Sequence, residues 1–340
     1  MGRAWEHPEL EREFGRIDEL LEGAAHVALC AHTSPDGDAL GSVLGLAAAV
    51  RDRWPDKRVS CLLADDDAVP ASFSYLPGAG SCVPGSSLEG DPDLFVCLDL
   101  SRPDRLGVAE PAMRRSRAVV VLDHHPSEGP FGDVSVVRPD AAAACVVVAS
   151  YLVRWEGGIT RDVARCLLCG IVCDTGRFQF QNTDAEALGA AAALVAAGAD
   201  PAEVSLHVFQ SDSVACLRLE GLALGRLELS CGGLVASSRV SLADLEACGA
   251  TSEDAGGLVD AVRRAAGVEV ALMLRELPDG RVRGNLRAKG EADVSRVARA
   301  LGGGGHRAAA GFTCEGTLDE AHARVTALLA DLLGRDGSDA

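Results

Sequence analysis

The chain has 340 residues, 48% of them apolar, and a formal net charge of −18. A length beyond one typical core favours two domains, and the composition is that of a folded globular protein rather than a disordered one. A chain this acidic is a poor binder of long nucleic acid, which is held through neutralised phosphates.

Residues 1–25 read as an N-terminal helical segment. They lack the apolar core and small-residue cleavage site of a secretory signal, and Glu6 stands where a myristoylation motif needs Ser or Thr. The longest strongly apolar run, ALGAAAALVAAGA from Ala187, is shorter than the roughly 20 residues of a membrane span. A cytoplasmic protein with no membrane partner is expected.

From His26 onward, short apolar runs alternate with helix-like stretches. The runs are HVALCAH from His26, RVSCLLA from Arg58, DLFVCLDL from Asp93 and AVVVLDHH from Ala118. The helical stretches include DALGSVLGLAAAVRDR and AAAACVVVASYLVRW. This alternation predicts an α/β domain over residues 26–200, built on a mostly parallel, doubly wound sheet. Ligands of such sheets collect at the carboxyl ends of the strands, so the residues that end each run carry the functional information.

The first run ends in AHTSPDGDALGS, where His32, Asp36 and Asp38 fall within seven residues. Pro35 and Gly37 mark a tight loop that can aim both carboxylates at one point, although PDGD also suits an ordinary turn with a helix cap. The third run ends at Asp99, the fourth at Asp123, His124 and His125, and Asp174 in GIVCDTGRF follows an apolar helical run. Five carboxylates converging on one crevice would repel unless cations neutralised them. An oxygen-rich set with two or three imidazoles suits Mn²⁺ or Mg²⁺ better than structural zinc. It is large enough for two ions sharing a carboxylate, an arrangement that activates water and clamps a phosphoryl group. His124 is then a ligand, Asp123 its support or a neighbouring charge, and His125 an imidazole that reaches substrate. The alternative, a self-satisfied structural network, is disfavoured because so many buried ionisable groups are costly without a role.

The twelve cysteines read as free thiols in a reducing compartment. Cys166, Cys169 and Cys173 share a helical face and are expected to pack as small hydrophobes, since a zinc site would need a fourth ligand.

Residues 201–228 are predicted to form a helical connector, and residues 229–334 a smaller mixed α/β domain. Within it, VEVALMLRELPDGRVRGNLRAKG reads as a hairpin around LPDGR. From Arg275 to Arg307 eight basic residues face four acids, a local positive excess that fits a small anionic ligand or, more plainly, a solvated Arg-rich face. In ALGGGGHRAAAGF, Gly303, Gly304, Gly305 and His306 read as an anion cradle, with a flexible turn as the alternative. Arg287 and Lys289 could add charge-assisted contacts. Residues 335–340 look disordered.

Taken together, HTSPDGDALGS, LDLSRPDRLG, LDHHPS, CDTGRFQF and GGGGHRAAAGF resemble, in order, the motifs of the DHH phosphoesterase family and its associated C-terminal domain. Spacing is closest to the bacterial branch that hydrolyses nano-RNA and pAp, some of whose members also cleave cyclic dinucleotides. The resemblance implies one Mn²⁺ near His32, Asp36 and Asp99 and a second near Asp38, Asp99, His124 and Asp174, with Mg²⁺ or Co²⁺ as substitutes. It places His125, beside Asp123, at the phosphate as acid or charge stabiliser, and Arg287 and His306 at the far end of the nucleotide. It also implies a homodimer. Family members often carry Ser after the arginine corresponding to Arg287, where this chain has Ala288 and so loses a hydroxyl. The implied substrates are short oligoribonucleotides, pAp and cyclic dinucleotides; inorganic pyrophosphate or polyphosphate, or a non-catalytic nucleic-acid-binding role, are the other readings.

Overall fold

The structure, a computed structural model, describes residues 5–336 apart from 127, 128, 130 and 306, and divides into two compact units, Met1–Ser211 and Asp212–Ala340. The first unit holds six strands: β1 His26–Cys30, β2 Arg58–Leu63, β3 Val83–Pro84, β4 Leu94–Leu98, β5 Ala118–Asp123 and β6 Val134–Val137. Their order is β3-β2-β1-β4-β5-β6, and every pairing is parallel. Its helices are α1 Glu11–Gly23, α2 Gly37–Arg53, α3 Glu110–Arg115, α4 Ala144–Leu152, α5 Arg161–Asp174, α6 Ala185–Ala196 and α7 Pro201–Val204.

β1 and β4 are buried at every position, which is why they read as unbroken apolar runs rather than alternating ones. Val27, Leu29, Leu94 and Val96 face a thick layer that includes α1, α2, α4, α5 and α6. Ala28, Cys30, Phe95 and Cys97 face a thinner one made by the 3-10 segment Pro103–Ala109 and α3. α4 is apolar all round and buried at every residue, as a helix wedged between other helices and a sheet must be. The N-terminal helix α1 drives Phe14, Ile17 and Leu21 into this same core and so belongs to the first unit.

Two strands were not expected. β3 has two residues and β6 four, too short for a periodic signal to separate them from loop. Asp99 and the Asp123–His125 run therefore follow the fourth and fifth strands. Because β1, β4 and β5 are neighbours in the centre of the sheet, their carboxyl ends lie side by side.

The expected connector, residues 201–228, is divided. α7 and the π-helical turn Ser205–Phe209 stay with the first unit, where Val204 is in the core; α8 (Val214–Gly225) joins the second, burying Leu219 and Ala223. A helical stretch carries no mark of which of two cores its apolar side chains will enter. The second unit is a mixed sheet of β7 Glu228–Ser230, β8 Val235–Val240, β9 Val270–Glu276, β10 Val282–Ala288, β11 Gly304–Gly305 and β12 Ala309–Cys314 in the order β11-β12-β10-β9-β8-β7. Only β8 and β9 pair in parallel, and β9 and β10 form the expected hairpin. α8, α9 (Leu242–Cys248) and α10 (Leu258–Arg263) cover one face, and α11 (Val294–Ala300) and α12 (Leu318–Asp336) the other. The first two residues of the expected disordered tail continue α12, and residues 337–340 lie outside the described residues. Among the described residues no single helix is long and apolar enough to cross a membrane.

Candidate metal centre

The predicted residues of the first unit meet at the carboxyl ends of β1, β4 and β5. His32 follows β1, and Asp36 caps α2 by accepting hydrogen bonds from the amides of Asp38 (3.0 Å) and Ala39 (3.1 Å). Asp38, in the first turn of α2, is fully buried and accepts from the amides of Ala144 (2.6 Å) and Cys145 (2.9 Å) at the start of α4. Its charge thus sits on a helix N-terminus as well as in the crevice. Asp99, directly after β4, has φ of 55°, a left-handed conformation unusual for a residue bearing a Cβ and the kind of strain that accompanies function.

Asp99 is the centre of the cluster. Its Oδ2 lies 3.3 Å from His32 Nε2, and its Oδ1 lies 3.4 Å from both His124 Nε2 and His125 Nδ1. His124 turns Nδ1 to the Ala141 carbonyl at 3.2 Å, so Nε2 faces Asp99, Asp174 Oδ2 at 3.3 Å and Asp38 Oδ2 at 3.8 Å. His125 Nδ1 donates to Asp123 Oδ1 at 2.8 Å, and Asp123 is wholly buried at the end of β5. Asp174 closes the site from the last residue of α5.

Burial opposes charge throughout, yet the imidazoles of His124 and His32 beside it hold Asp99 below the ordinary carboxylate range. Reciprocally, Asp99 overrides burial and raises His32 to about 9 and His124 to about 10. Burial and then the charge of Asp99 push Asp38 up, and burial with Asp38 does the same to Asp174. The imidazoles are drawn into carrying positive charge that the carboxylates require. Three groups of donor atoms each fall within 4.8 Å of one another: His32, Asp36 and Asp99; Asp38, His124 and Asp174; and Asp99, His124 and His125. Asp99 Oδ1 and Asp123 Oδ2 are buried without a hydrogen bond. Such atoms are rare and costly unless something else satisfies them. An oxygen-rich, negatively charged set with an orphaned buried carboxylate oxygen at its centre could hold divalent cations.

One part of this construction was missed from the sequence. Gly37, Gly41 and Gly45 form a stripe on α2 against α5. A Cβ at Gly41 would lie 2.5 Å from the Cys166 carbonyl, and one at Gly37 would lie 2.3 Å from Cys173 Sγ. Opposite them, a Cβ at Gly170 would lie 2.6 Å from Asp38 Oδ1. The close approach of α2 and α5 is what brings Asp38 and Asp174 to one place. Its signal was legible as glycines four apart in GDALGSVLG, beside the cysteine-lined face of RCLLCGIVCD. Among the described residues the cysteines of that face are free thiols, with Cys166 and Cys169 buried.

In the second unit, β12 lies between β11 and β10, so Gly305 pairs with Ala310 while Arg287 pairs with Ala309 at the same end of the sheet. Arg287 approaches Asp260 at 3.3 Å. Lys289 Nζ donates to the Ala265 carbonyl at 2.5 Å, tying the end of β10 to the segment after α10. Gly303 and Gly305 have a packing reason of their own: a Cβ there would lie 2.2 Å from the Gly311 carbonyl and 2.5 Å from the Ala309 carbonyl. Gly304 has open space around it, and His306 lies outside the described residues.

A parallel sheet bearing this His and Asp set at its central strand ends, followed by a mixed-sheet unit, defines a two-domain class, and the comparisons assign it. Residues 26–171 match the DHH family, N-terminal domain, and residues 239–331 match the DHHA1 domain. The chain belongs to the DHH family of phosphoesterases. It is 32% identical to the bifunctional oligoribonuclease and PAP phosphatase NrnA of Thermus thermophilus, with 98% of this chain and 97% of that one covered. Identity to the protein of the same name from Bacillus subtilis is 28%, over 84% and 88% of the two chains. The crystal structure of an exopolyphosphatase-related protein from Bacteroides fragilis shares the fold, with a TM-score of 0.89 and 23% identity over 95% of this chain and 98% of that one.

Proposed function

We propose that this enzyme hydrolyses short oligoribonucleotides and pAp to mononucleotides, with cyclic dinucleotides as a further substrate class, and that it does so with two divalent cations, natively Mn²⁺. His32, Asp36 and Asp99 would hold one ion, and Asp38, Asp99, His124 and Asp174 the other. Bound there, the pair would supply an activated water and a clamp on the phosphoryl oxygens. The observation that carries the reading is the placement of Asp99: its two oxygens face different imidazoles, Oδ2 toward His32 and Oδ1 toward His124, so that one carboxylate reaches both of the donor sets that would hold the ions.

The chain's own groups then have separable tasks. Backbone amides of Ala144 and Cys145 fix Asp38, and the Ala141 carbonyl fixes the tautomer of His124 so that Nε2 is the ligand atom. Asp123 holds the Nδ1 proton of His125, which leaves proton exchange with the substrate phosphate to Nε2. Arg287, Gly303, Gly304, Gly305 and His306 would bind the distant phosphate. Lys289 has the weaker claim, because its ammonium already bonds the Ala265 carbonyl. The oligoribonuclease and PAP phosphatase named among the relatives, alike over almost the whole length, supports the substrate class. A second copy of the chain is proposed to cover Leu188 and Val195, exposed along α6; light scattering that finds a monomer would remove that part.

The test is a parallel incubation with Mn²⁺ of pApA, pAp, cyclic di-AMP and pyrophosphate, with Asp99→Ala as control. AMP from pApA and pAp, lost in the variant, supports the reading. Phosphate from pyrophosphate alone points to a pyrophosphatase, and silence on all four points to a binding protein.

A further inference from the structure

Away from the metal centre, the first unit holds a pair of free cysteines at matching positions of two neighbouring strands. Cys61 is the fourth residue of β2 and is fully buried. Cys82 is extended, half-buried and immediately precedes β3. In the register of the two strands Leu62 pairs with Val83, so Cys61 and Cys82 are the next positions back along the same parallel ladder. Both pack into the same helix-covered core, so both side chains leave the sheet on one face. Neighbouring strands lie about 4.8 Å apart, within the roughly 4.4–6.8 Å between Cα atoms that a disulfide accepts.

Three further observations point the same way. Arg51 of α2 brings Nη2 to 3.5 Å from Cys61 Sγ and anchors on the Val59 carbonyl at 2.9 Å. Cys82 and the guanidinium outweigh burial and lower the Cys61 thiol, while Cys61 and burial raise Cys82, so Cys61 is the first of the two to lose its proton. Finally, Cys82 lines a cavity of about 460 Å³ whose wall includes Asp66, Asp67, Val69 and Pro84. A sulfur is therefore reachable from solvent, through an opening whose two carboxylates disfavour anionic oxidants and admit neutral ones.

We propose that Cys61 and Cys82 form a redox modification site, closed to a disulfide by hydrogen peroxide or a small neutral hydroperoxide. Cys82 passes its proton to the Cys61 thiolate and its sulfur attacks the outer peroxide oxygen; the O–O bond breaks, hydroxide or alkoxide leaves and takes a proton from solvent, and Cys82 becomes a sulfenic acid. Cys61 sulfur then attacks that sulfur, the S–O bond breaks, and hydroxide leaves as water with the Cys61 proton. Two thiols are oxidised by two electrons and one peroxide is reduced. The cross-link ties the edge strand β3 to β2 and closes the segment 61–82, whose Asp65 carboxylate accepts from the Ser34 amide in the loop between His32 and Asp36.

The experiment treats the reduced full chain with hydrogen peroxide, blocks remaining thiols and maps the peptides by mass. The tryptic segment 59–105 carries Cys61, Cys82 and Cys97. It should lose two hydrogens, regain them with dithiothreitol, and keep them in Cys82→Ser; in Cys61→Ser, dimedone should trap Cys82 instead. Arg51→Met, with folding checked by its melting curve, should slow the loss severalfold. Cys216, Cys231 and Cys248 are half-buried thiols of the second unit and serve as internal references. Cys82 reacting no faster than these three, or a cross-link that survives Cys82→Ser, would overturn the proposal.

Discussion

The approach of α2 to α5 gives a prediction whose sign depends on the structure alone. In a helix, Gly→Ala ordinarily stabilises by about 1 kcal/mol. Gly15, inside α1, has nothing within 4 Å of its missing Cβ, and Gly15→Ala should show that gain. At Gly41 the added methyl would sit 2.5 Å from the Cys166 carbonyl and 3.1 Å from Cys145 Sγ. A backbone carbonyl inside a helix cannot swing aside, so the two helices must separate. Overpacking of this kind costs typically about 1–3 kcal/mol, and taking the upper part of that range against the propensity gain leaves a net loss of about 1–2 kcal/mol. For a unit of this size that lowers the melting temperature by about 2–8 °C. Separation also moves Asp38 from Asp174, so phosphoesterase activity should fall at temperatures where Gly41→Ala remains folded, while Gly15→Ala keeps wild-type activity. Calorimetry and a pApA assay on the two variants decide the matter. If both substitutions stabilised the protein, or Gly41→Ala lost stability without losing activity, the claim that this contact positions the site would be wrong.

Mn²⁺ should raise the melting temperature of the first unit, because its crowded carboxylates repel without a cation; saturation at 100 times Kd corresponds to about 2.7 kcal/mol. Chelation should reverse the rise and Asp99→Ala should abolish it, and an unchanged melting curve would contradict the two-ion assignment. Asp123→Asn should leave metal-induced stabilisation in place yet lower kcat by about 10²–10⁴, the usual range for a proton-transferring group, with little change in KM. Equal losses in kcat and metal affinity would instead make Asp123 a ligand. Arg138 and Glu186 are buried partners whose hydrogen bonds include one of 2.9 Å, and His7 bonds the same carboxylate at 2.8 Å. Burial works against the Glu186 charge, but Arg138 and His7 more than offset it and lower its pKa below the ordinary 4.5. The network therefore contributes its full stability above that value and loses it as pH falls through the lowered pKa. Arg138→Met should cost about 3–5 kcal/mol at neutral pH and less in acid, read from urea unfolding at several pH values; a pH-independent loss would point to packing instead.

Much of the chemistry was legible because it is local. Carboxylates and imidazoles that end apolar strand runs can be read one run at a time, and parallel sheets present all such ends on one side, so His32, Asp36, Asp38, Asp99, Asp123, His124, His125 and Asp174 are gathered by the amino-acid sequence alone. The hairpin around LPDGR and the buried cysteine face of α5 were legible for the same reason, since turn chemistry and helical period are properties of a few adjacent residues.

What the tertiary structure decided is everything that depends on which distant segment becomes a neighbour. Strand order placed β1, β4 and β5 side by side and added the edge strands β3 and β6, whose few residues pair only because a neighbouring edge is available. Packing made three glycines on α2 the contact surface that joins Asp38 to Asp174. Competition between two cores divided the helical segment 201–228, and a carbonyl beyond α10 claimed the ammonium of Lys289. Composition and period specify what a segment can bury or ligate; close packing between segments far apart in the chain determines which partner it meets.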